Sequence, residues 1–493
     1  MSDREALAPG AEAEDAELRS HTSSGRANLE LLIVGLGALV VSLSQSVLVP
    51  VLGDLQEEYG EKTNWLLTAT LLVAAVGVPI MGRLGDMFGK RKILLVALGA
   101  ITVGSLVDAV TSNFALLVVG RAIQGASAAA IPLGISLLAT LMPRERVGAS
   151  VALISAMLGV GGSLGLPLAG FVAQNWDWHV LFWITAVVGA IAFAGVLAIV
   201  PESKLHAGGH VDLPGAVLMS AGLVCLILPL EQGHDWGWGS PRVWILLAAA
   251  VVLLVLFALV ELRRREPLVD LTALRRRPIV MTNLASICFG FALFASFIGT
   301  ATFVEAGKWT GYGFEVSLLV GGLTLLPSGI AMLLFSPVAA RLIALRGAPQ
   351  TLAIGASVVA VGWVLRIFLS AELWEIVVAT TIIGAGTGIG YAAMPSLINA
   401  NTPPSEIAAA NGLNTLFRSL GSTLATAVGT SILASSLVYQ VVDGQVVGGA
   451  PSLTAYRWLF GVCAVAAVLA AVLVLTVPHR RQPEPHGEPV EAR

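Results

Sequence analysis

Residues 82–92 read Gly82-Arg83-Leu84-Gly85-Asp86-Met87-Phe88-Gly89-Lys90-Arg91-Lys92 and separate two long apolar runs. The glycines permit a tight turn and a close approach of helices, because glycine has no Cβ atom. Asp86 can pair with basic groups or cap the N-terminus of a helix. The basic residues after Gly89 are typical of a loop at a membrane surface. The stretch therefore predicts a short loop between two membrane-spanning helices.

Apolar runs recur on both sides of this loop along most of the chain. A helix needs about 20 mostly apolar residues to cross a bilayer. Lipid offers no partner to unpaired backbone groups, and runs of this length are too long for the strands of a membrane barrel. We therefore predict an all-α integral membrane protein with 14 transmembrane helices, at about 29–52, 64–83, 93–112, 114–139, 147–173, 179–200, 213–231, 242–262, 279–304, 316–339, 350–370, 374–398, 407–435 and 455–477.

The composition supports a membrane protein. The 493 residues are 56% hydrophobic and only 12% charged, whereas soluble domains carry about 25% charged residues. This deficit excludes a disordered protein, a nucleic-acid-binding protein and an ordinary cytosolic enzyme.

The distribution of basic residues predicts the orientation in the membrane. If the N-terminus is inside, the interior loops carry fifteen lysines and arginines, whereas the exterior loops carry only four, Lys62, Arg242, Lys308 and Arg457. Because basic residues are retained on the cytoplasmic side, we predict that both termini are cytoplasmic.

The loop after the second span has a counterpart after the tenth. Residues 340–347 follow Gly82–Gly89 at an offset of 258 residues, and the arginine, the leucine and the final glycine recur. Parallel repeats of this kind are typical of transporters whose site lies between two halves. The predicted organisation comprises a disordered cytoplasmic tail (1–28), a six-helix bundle (29–200), a two-helix insertion and linker (201–278), a second six-helix bundle (279–477) and a cytoplasmic tail (478–493).

These features resemble the major facilitator superfamily, and within it the fourteen-helix drug:proton antiporters, over roughly residues 29–477. The loop at 82–92 is similar to the motif that this superfamily carries between its second and third spans. The resemblance implies the major facilitator fold, arranged as 6+2+6 helices, and a loop that latches one conformation and releases it during transport. The gating residues implied in this way are Gly82, Arg83, Gly85, Asp86, Gly89, Lys90, Arg91 and Lys92.

Two spans carry an arginine within a motif that resembles the same family. Arg121 to Gly125 in span 4 is similar to the R-x-x-q-G motif, which implies a role in proton coupling, and Asn411 to Gly421 resembles span 13 of these antiporters. A lone arginine in a span costs roughly 2.5–3.5 kcal/mol on insertion scales, so it must face a cavity or a polar partner. The expected coupling and cavity residues are Arg121, Gln124, Gln45, Asn411, Asn414 and Arg418. The alternatives are an arginine satisfied by backbone carbonyls in span 4 and polar contact between helices in span 13.

Span 5 resembles the antiporter motif g-x-x-x-G-P-x-x-G-G. The matching residues are Gly161, Gly165, Pro167 and Gly170. Small residues allow close helix packing, and a proline bends a helix. The sequence departs from the motif in two places, since Leu166 separates the glycine from the proline and Ala169 replaces a glycine. The motif is associated with exporters rather than importers.

The residue that carries the proton is not evident from the resemblance. Many of these antiporters have an aspartate in span 1, whereas this sequence has Ser42, Ser44, Gln45 and Ser46 before Pro50, and we predict no carboxylate in that span. Among the carboxylates near span ends, the better proton carriers are Asp108 and Glu305, with interfacial groups as the alternative. Coupling to another ion and facilitated diffusion also stay open.

Other chemistry is not indicated. Cys225, Cys288 and Cys463 each lie in a separate apolar run, which argues against a disulfide framework or a zinc site. The histidines lack metal-ligand spacing, and no phosphate-binding loop of the Walker type occurs. We therefore expect no cofactor, no metal and no catalytic residues.

The sequence thus predicts a monomeric, multi-pass plasma-membrane transporter rather than an enzyme. The expected activity is secondary active export of amphipathic drugs, antibiotics or metabolites by proton antiport with alternating access. The expected partners are a small-molecule substrate, protons and the lipid bilayer. The alternatives are an uncoupled or solute-importing transporter and a non-transporting membrane sensor.

Overall fold

The computed structural model describes residues 24–203, 207–208, 210–264, 267–442 and 445–477. The helices of these residues are α1 (Ser24–Ser46), α2 (Leu52–Tyr59), α3 (Asn64–Phe88), α4 (Lys90–Val110), α5 (Phe114–Ala126), α6 (Ala130–Leu141), α7 (Arg144–Asn175), α8 (His179–Ile199), α9 (Leu213–Trp236), α10 (Pro241–Glu261), α11 (Arg277–Glu305), α12 (Leu318–Arg346), α13 (Ala348–Phe368), α14 (Leu373–Asn399), α15 (Ile407–Ala434) and α16 (Leu453–Leu475).

Most of these helices can cross a membrane. In the described part of the chain, thirteen segments are long and apolar enough, with α5 and α6 counted as one segment. The remaining long helix, α15, has 28 residues and is less apolar because it contains asparagine, arginine and several serines and threonines. With α15 included, the helical segments of membrane-spanning length match the predicted spans in number, and the predicted all-α membrane fold is confirmed.

The first span differs from its prediction at both ends. α1 begins at Ser24, inside the predicted tail, and ends at Ser46, because the proline at position 50 restricts the backbone before it. The helix contains Glu30, which is buried and lies 3.2 Å from the Arg26 guanidinium one turn earlier. The prediction of no carboxylate in this span was therefore wrong, since a basic neighbour at i−4 can neutralise a buried acid. Residues 1–23 and the predicted tail 478–493 lie outside the described residues.

The fourth predicted span is not one continuous α-helix. A 3₁₀ turn at Ser127–Ala129 separates α5 from α6. Pro132 has no backbone N–H and its ring would clash with the carbonyl four residues earlier, at Ala128. A tighter turn relieves this conflict, and the segment still runs from Phe114 to Leu141.

A β-hairpin between α15 and α16 was not predicted. Strand β1 (Leu437–Val442) pairs antiparallel with β2 (Gln445–Pro451), and the register is irregular between Gln440 and Val441. The sequence signal was an Asp-Gly pair between two β-branched runs, which favours a tight hairpin.

The helices pack as two groups with a pair between them in sequence. We call α1–α8 the N-half and α11–α16 the C-half. Within the N-half, α1 packs on α7 and α4 on α8, and within the C-half, α11 packs on α15 and α13 on both α14 and α16. The halves meet where α7 contacts α12 and α3 contacts α15, while α9 and α10 pack on each other and α9 also contacts α3 and α15. The 6+2+6 arrangement and its predicted boundaries stay predictions.

Loop contacts define one end of the bundle, which we call the basic end. The last turn of α3 contacts the loop after α8, where the Ala207 N–H donates to the backbone carbonyl of Asp86 at 2.7 Å. The first turn of α4, which follows after Gly89 alone, contacts the segment before α15, where Lys90 Nζ donates to the Pro404 carbonyl at 3.3 Å. The hairpin follows the far end of α15 and lies at the opposite end.

Candidate functional site

Asp86 joins the two halves at the basic end. It lies in the last turn of α3 and is fully buried. Its carboxylate accepts hydrogen bonds from the N–H groups of Ala408 and Ala409 at 3.2 and 2.7 Å, in the first turn of α15. A carboxylate is stabilised at a helix N-terminus, where unpaired N–H groups and the helix dipole are positive. The Asp86 side chain therefore caps a helix of the other half of the molecule.

Basic residues in the first turn of α4 strengthen this junction. The buried Lys90 ammonium lies 3.8 Å from the Asp86 carboxylate. Arg91 Nη2 donates to the Leu197 carbonyl at 2.5 Å on α8, and Lys92 N–H donates to the Glu202 carboxylate at 3.2 Å. Lys90 thus supports the contact between halves, whereas Arg91 and Lys92 fix the loop within the N-half. The remaining basic gating residue, Arg83, is also buried.

Three glycines of the stretch 82–92 allow these contacts to form. A Cβ at Gly82 would lie 2.8 Å from the Ala408 carbonyl oxygen, so the absence of a side chain lets α3 approach α15. Gly85 lies against Leu133 of α6. Gly89 has a φ of +115°, a conformation that other residues adopt rarely.

A polar chain crosses the interior of the N-half through Arg121. This arginine on α5 is almost fully buried, and Nη1 donates to the Gln124 Oε1 atom at 2.5 Å and to the Ser44 carbonyl at 3.3 Å. Nε donates to the Leu66 carbonyl at 3.5 Å. Arg121 therefore connects α5 to α1 and α3, and the expected alternative of satisfaction by backbone carbonyls accounts for part of its contacts.

Gln124 extends the chain from Arg121 to Asp108. Its amide Nε2 donates to Asp108 Oδ2 at 2.8 Å and to Ser105 Oγ at 3.3 Å. Asp108 on α4 is fully buried, and its second oxygen, Oδ1, has no hydrogen-bond partner among the described residues. Asp108 fits beside α5 because Gly120 has no side chain at the position of its carboxylate. The structure thus brings the motif residues Arg121 and Gln124 and the separately predicted Asp108 into one network.

The span 5 motif has two faces on α7. Gly161 and Gly165 face α1, where a Cβ at Gly161 would lie 2.6 Å from the Leu39 carbonyl oxygen. Pro167 and Gly170 face α12 of the other half, where a Cβ at Gly170 would lie 2.7 Å from the Leu319 backbone nitrogen. The motif therefore tightens the N-half on one side and its contact with the C-half on the other.

The predicted span 13 residues contact neighbouring helices of the C-half. Asn411 Nδ2 donates to Asn399 Oδ1 on α14 at 2.7 Å, and Asn414 Nδ2 donates to Asn283 Oδ1 on α11 at 2.9 Å. These contacts fit the alternative of polar contact between helices.

Arg418, the third predicted residue of span 13, makes longer contacts than Asn411 and Asn414. Its guanidinium lies 5.0 Å from the centre of the Tyr391 ring, and Nη2 donates to Thr415 Oγ1 at 3.4 Å. A role of Asn411, Asn414 and Arg418 in a transport cavity stays a prediction.

Two further predicted residues lie apart from these networks. Gln45 is exposed in the last turn of α1, although the residues around it from Val40 to Leu48 are otherwise buried. Glu305 ends α11 and is half-buried against Gly321 of α12. Neither residue joins the network of Asp108 and Arg121 through a hydrogen bond in the described part of the chain.

Contacts of α9 with both halves were missed by the sequence analysis. Gln232 Nε2 donates to Thr68 Oγ1 on α3 at 2.9 Å, and α9 also packs on α15. A Glu-Gln pair at the end of an apolar run was the available signal. The inserted helix therefore touches the seam where α3 meets α15.

Comparisons with known proteins agree with this architecture. A family model described as Major Facilitator Superfamily matches residues 34–332 and 314–493. The chain is 26% identical to multidrug resistance protein Stp of Mycobacterium tuberculosis, over 83% of this chain and 76% of that protein. It is 29% identical to puromycin resistance protein pur8 of Streptomyces alboniger, over 90% of both chains. The crystal structure of the human organic anion transporter MFSD10 (TETRAN) has a similar fold, with a TM-score of 0.66, 16% identity and coverage of 91% of this chain and 99% of that one.

Proposed function

The chain belongs to the Major Facilitator Superfamily, and we propose that it exports amphipathic drugs, antibiotics or metabolites across the plasma membrane by proton antiport with alternating access. It is a multi-pass membrane transporter and not an enzyme. The names of its relatives, which refer to resistance to multiple drugs and to puromycin, support substrates of this class. The excess of basic residues in alternate loops supports cytoplasmic termini.

The observation that carries the proton-coupling proposal is the network of Asp108, Gln124 and Arg121. A buried charge is costly unless it is paired, and Asp108 reaches Arg121 only through one amide group. Asp108 also has an oxygen with no partner among the described residues, where a proton can be bound. Protonation removes the negative charge and weakens the hydrogen bond from Gln124.

Arg121 transmits this change to the helices that carry the gate. It donates to carbonyls of α1 and α3, and α3 ends at Asp86, which caps α15 of the other half. We therefore propose that proton binding at Asp108 alters the position of α3 relative to α15. Release of the Asp86 contact opens the basic end, and its formation closes that end, as alternating access requires.

The test is dye transport in inverted membrane vesicles that contain the full chain, where export from the cell is measured as uptake into the vesicle. Ethidium, an amphipathic cation, is followed by fluorescence while a pH-sensitive dye reports proton movement. We expect the wild-type protein to move ethidium with a proton gradient and to stop when an uncoupler removes it. Asp108→Asn is expected to lose gradient-driven movement while it remains in the membrane.

The matched control is Glu57→Gln, which neutralises an exposed carboxylate on α2 and is expected to retain the response. Ethidium export that is indifferent to the uncoupler would refute antiport and favour the uncoupled transporter. Full gradient-driven export by Asp108→Asn would exclude this residue as the proton carrier, and Glu305→Gln would then be measured in the same assay.

A further inference from the structure

Arg366 is a buried cation without a conventional partner. It lies near the end of α13 and none of its surface is exposed. Its Nε, Nη1 and Nη2 atoms have no hydrogen-bond acceptor among the described residues. A guanidinium has five N–H donors, and buried donors without acceptors are strongly unfavourable. The burial of this guanidinium is therefore unfavourable unless another group accepts its hydrogen bonds.

Two aromatic rings lie against the guanidinium, and their centres are 6.3 Å apart, so they do not stack on opposite faces. The carbon Cζ of Arg366 lies 4.5 Å from the centre of the Phe303 ring on α11 and 4.6 Å from that of Phe460 on α16. Contacts of this kind attract a cation to the face of a ring. They leave the N–H groups, which point outward in the plane of the guanidinium, without acceptors.

Trp363 adds another donor to the same region. It lies one turn before Arg366 on α13, so both side chains project from one face of the helix. The Trp363 ring is 5.6 Å from Phe460, and its fully buried indole N–H also has no acceptor among the described residues. The neighbouring hydroxyl of Tyr456 donates elsewhere, to Thr302 Oγ1 at 3.0 Å. The region thus combines one positive charge with donors that lack acceptors.

The internal repeat shows which group is missing. Arg366 follows Asp108 at the same 258-residue offset that relates the two loop motifs, and α13 follows α4 at that offset over its full length. A Cβ at Gly104 of α4 would meet Gln124 of α5, and a Cβ at Gly362 of α13 would meet Ile383 of α14. Ile383 therefore takes the place of Gln124, and α14 has no charged residue after Glu375. The N-half neutralises its buried charge through the next helix, and the C-half does not.

We propose that Arg366 and Trp363 form a binding site for a small monovalent anion, of which chloride is the representative. The donor set fits an anion because it offers a positive charge and N–H groups that have no acceptor among the described residues. One guanidinium charge matches one negative charge, and complete burial favours a small ion over a bulky carboxylate. The anion accepts from the N–H groups of Arg366 and replaces the counter-charge that α14 lacks.

The test measures the melting temperature of the purified full chain in detergent at constant ionic strength. Chloride or bromide is exchanged for gluconate, which is too large for the site. We expect the Tm of the wild-type protein to rise with halide concentration and to saturate. The control Arg346→Gln changes an exposed arginine at the end of α12 and is expected to show the same saturating rise. Arg366→Gln is expected to lose it.

A second variant covers the case in which Arg366→Gln does not fold. Trp363→Phe keeps the charge and an aromatic ring but removes one N–H donor, and we expect a several-fold higher halide concentration at half-saturation. Equal Tm values in chloride and gluconate for the wild-type protein would overturn the proposal and indicate water as the acceptor. An unchanged halide response in both Arg366→Gln and Trp363→Phe would also overturn it, because the anion would then bind elsewhere.

Discussion

The two halves of the molecule carry buried charges of opposite sign at equivalent places. Asp108 in the N-half accepts a hydrogen bond from Gln124, which in turn accepts one from Arg121. Arg366 in the C-half lies against two aromatic rings. The helices that carry the two charges, α4 and α13, are each 21 residues long, and α13 follows α4 at an offset of 258 residues at both ends. The repeated fold therefore fixes where a charge is buried, and the adjacent helix decides whether it is paired.

The difference separates two roles for a buried charge. In the N-half, the acid and the base contact several helices, so that a change in protonation can move them relative to one another. In the C-half, the cation contacts apolar rings of α11 and α16 and has no hydrogen-bond acceptor among the described residues. Variants that remove one charge at a time should therefore have unequal effects.

The largest effect is expected for Arg121→Met. This change leaves Asp108 without its counter-charge, and breaking a buried charge pair costs about 3–5 kcal/mol. We expect a free energy of unfolding lower by about this amount, measured by detergent denaturation of the purified protein. The double variant Arg121→Met/Asp108→Asn should recover most of the loss. If it does not, the bonds of Arg121 to backbone carbonyls provide the stability, and the network is not a charge pair.

Asp86→Asn should come next, with its effect on transport rather than on insertion. A carboxylate at a helix N-terminus contributes up to about 2 kcal/mol in a partly buried site, which corresponds to about a 30-fold change in an equilibrium. We expect transport to be abolished while the protein remains in the membrane. Amide hydrogen exchange of residues 404–412 should become faster, because asparagine keeps only one of the two oxygens that accept from Ala408 and Ala409. A normally active variant would refute the gating role.

Gly120→Ala should have an intermediate effect. The added Cβ overlaps the Asp108 carboxylate, and overpacking of a tight contact costs about 1–3 kcal/mol. We expect a lower thermal stability and impaired proton-driven ethidium transport. The control is Gly77→Ala on α3, whose Cβ would lie 3.8 Å from the nearest atom, in ordinary contact with Ala126. Equal effects of the two substitutions would mean that the Asp108 contact has no special importance.

The smallest effect on stability is expected for Arg366→Met in gluconate. Replacement of a buried, unpaired charge by an apolar side chain of similar length is often neutral or stabilising, so we expect a loss of less than about 1 kcal/mol. The same variant in chloride should be less stable than the wild-type protein. A large loss of stability in gluconate would show that the contacts with Phe303 and Phe460 support the C-half without an anion.

Much of the fold could be predicted because insertion in lipid depends on short windows of sequence. The number of long helices and the family were predicted correctly, whereas the loop predicted at 82–92 is reduced to Gly89 between two helices. The predictions for the first span, the fourth span and the segment after α15 were wrong or incomplete because local features there were not taken into account. Glu30 is paired one turn from Arg26, Pro132 follows a break in the fourth span, and the hairpin at Leu437–Pro451 has a signal too short for a search for membrane spans.

The candidate site was predictable as a set of residues and not as an arrangement. Arg121 and Gln124 were singled out together by one motif and Asp108 for a separate reason, and the contact of Gln124 with Asp108 could not be inferred from spacing. In the sequence, Arg366 is only a charge within the predicted span 350–370. Its aromatic partners come from α11 and α16, which lie far from it in sequence.

The sequence by itself determined that this protein is a membrane transporter of a helical family, since apolar length, basic loops and a glycine-rich motif are local properties of the chain. Only the tertiary structure decided what each polar residue contacts. Asp86 caps a helix that begins more than 300 residues later, and the two faces of α7 pack on different halves. These relations depend on which helices meet and at what depth, and hydropathy and spacing do not encode that choice.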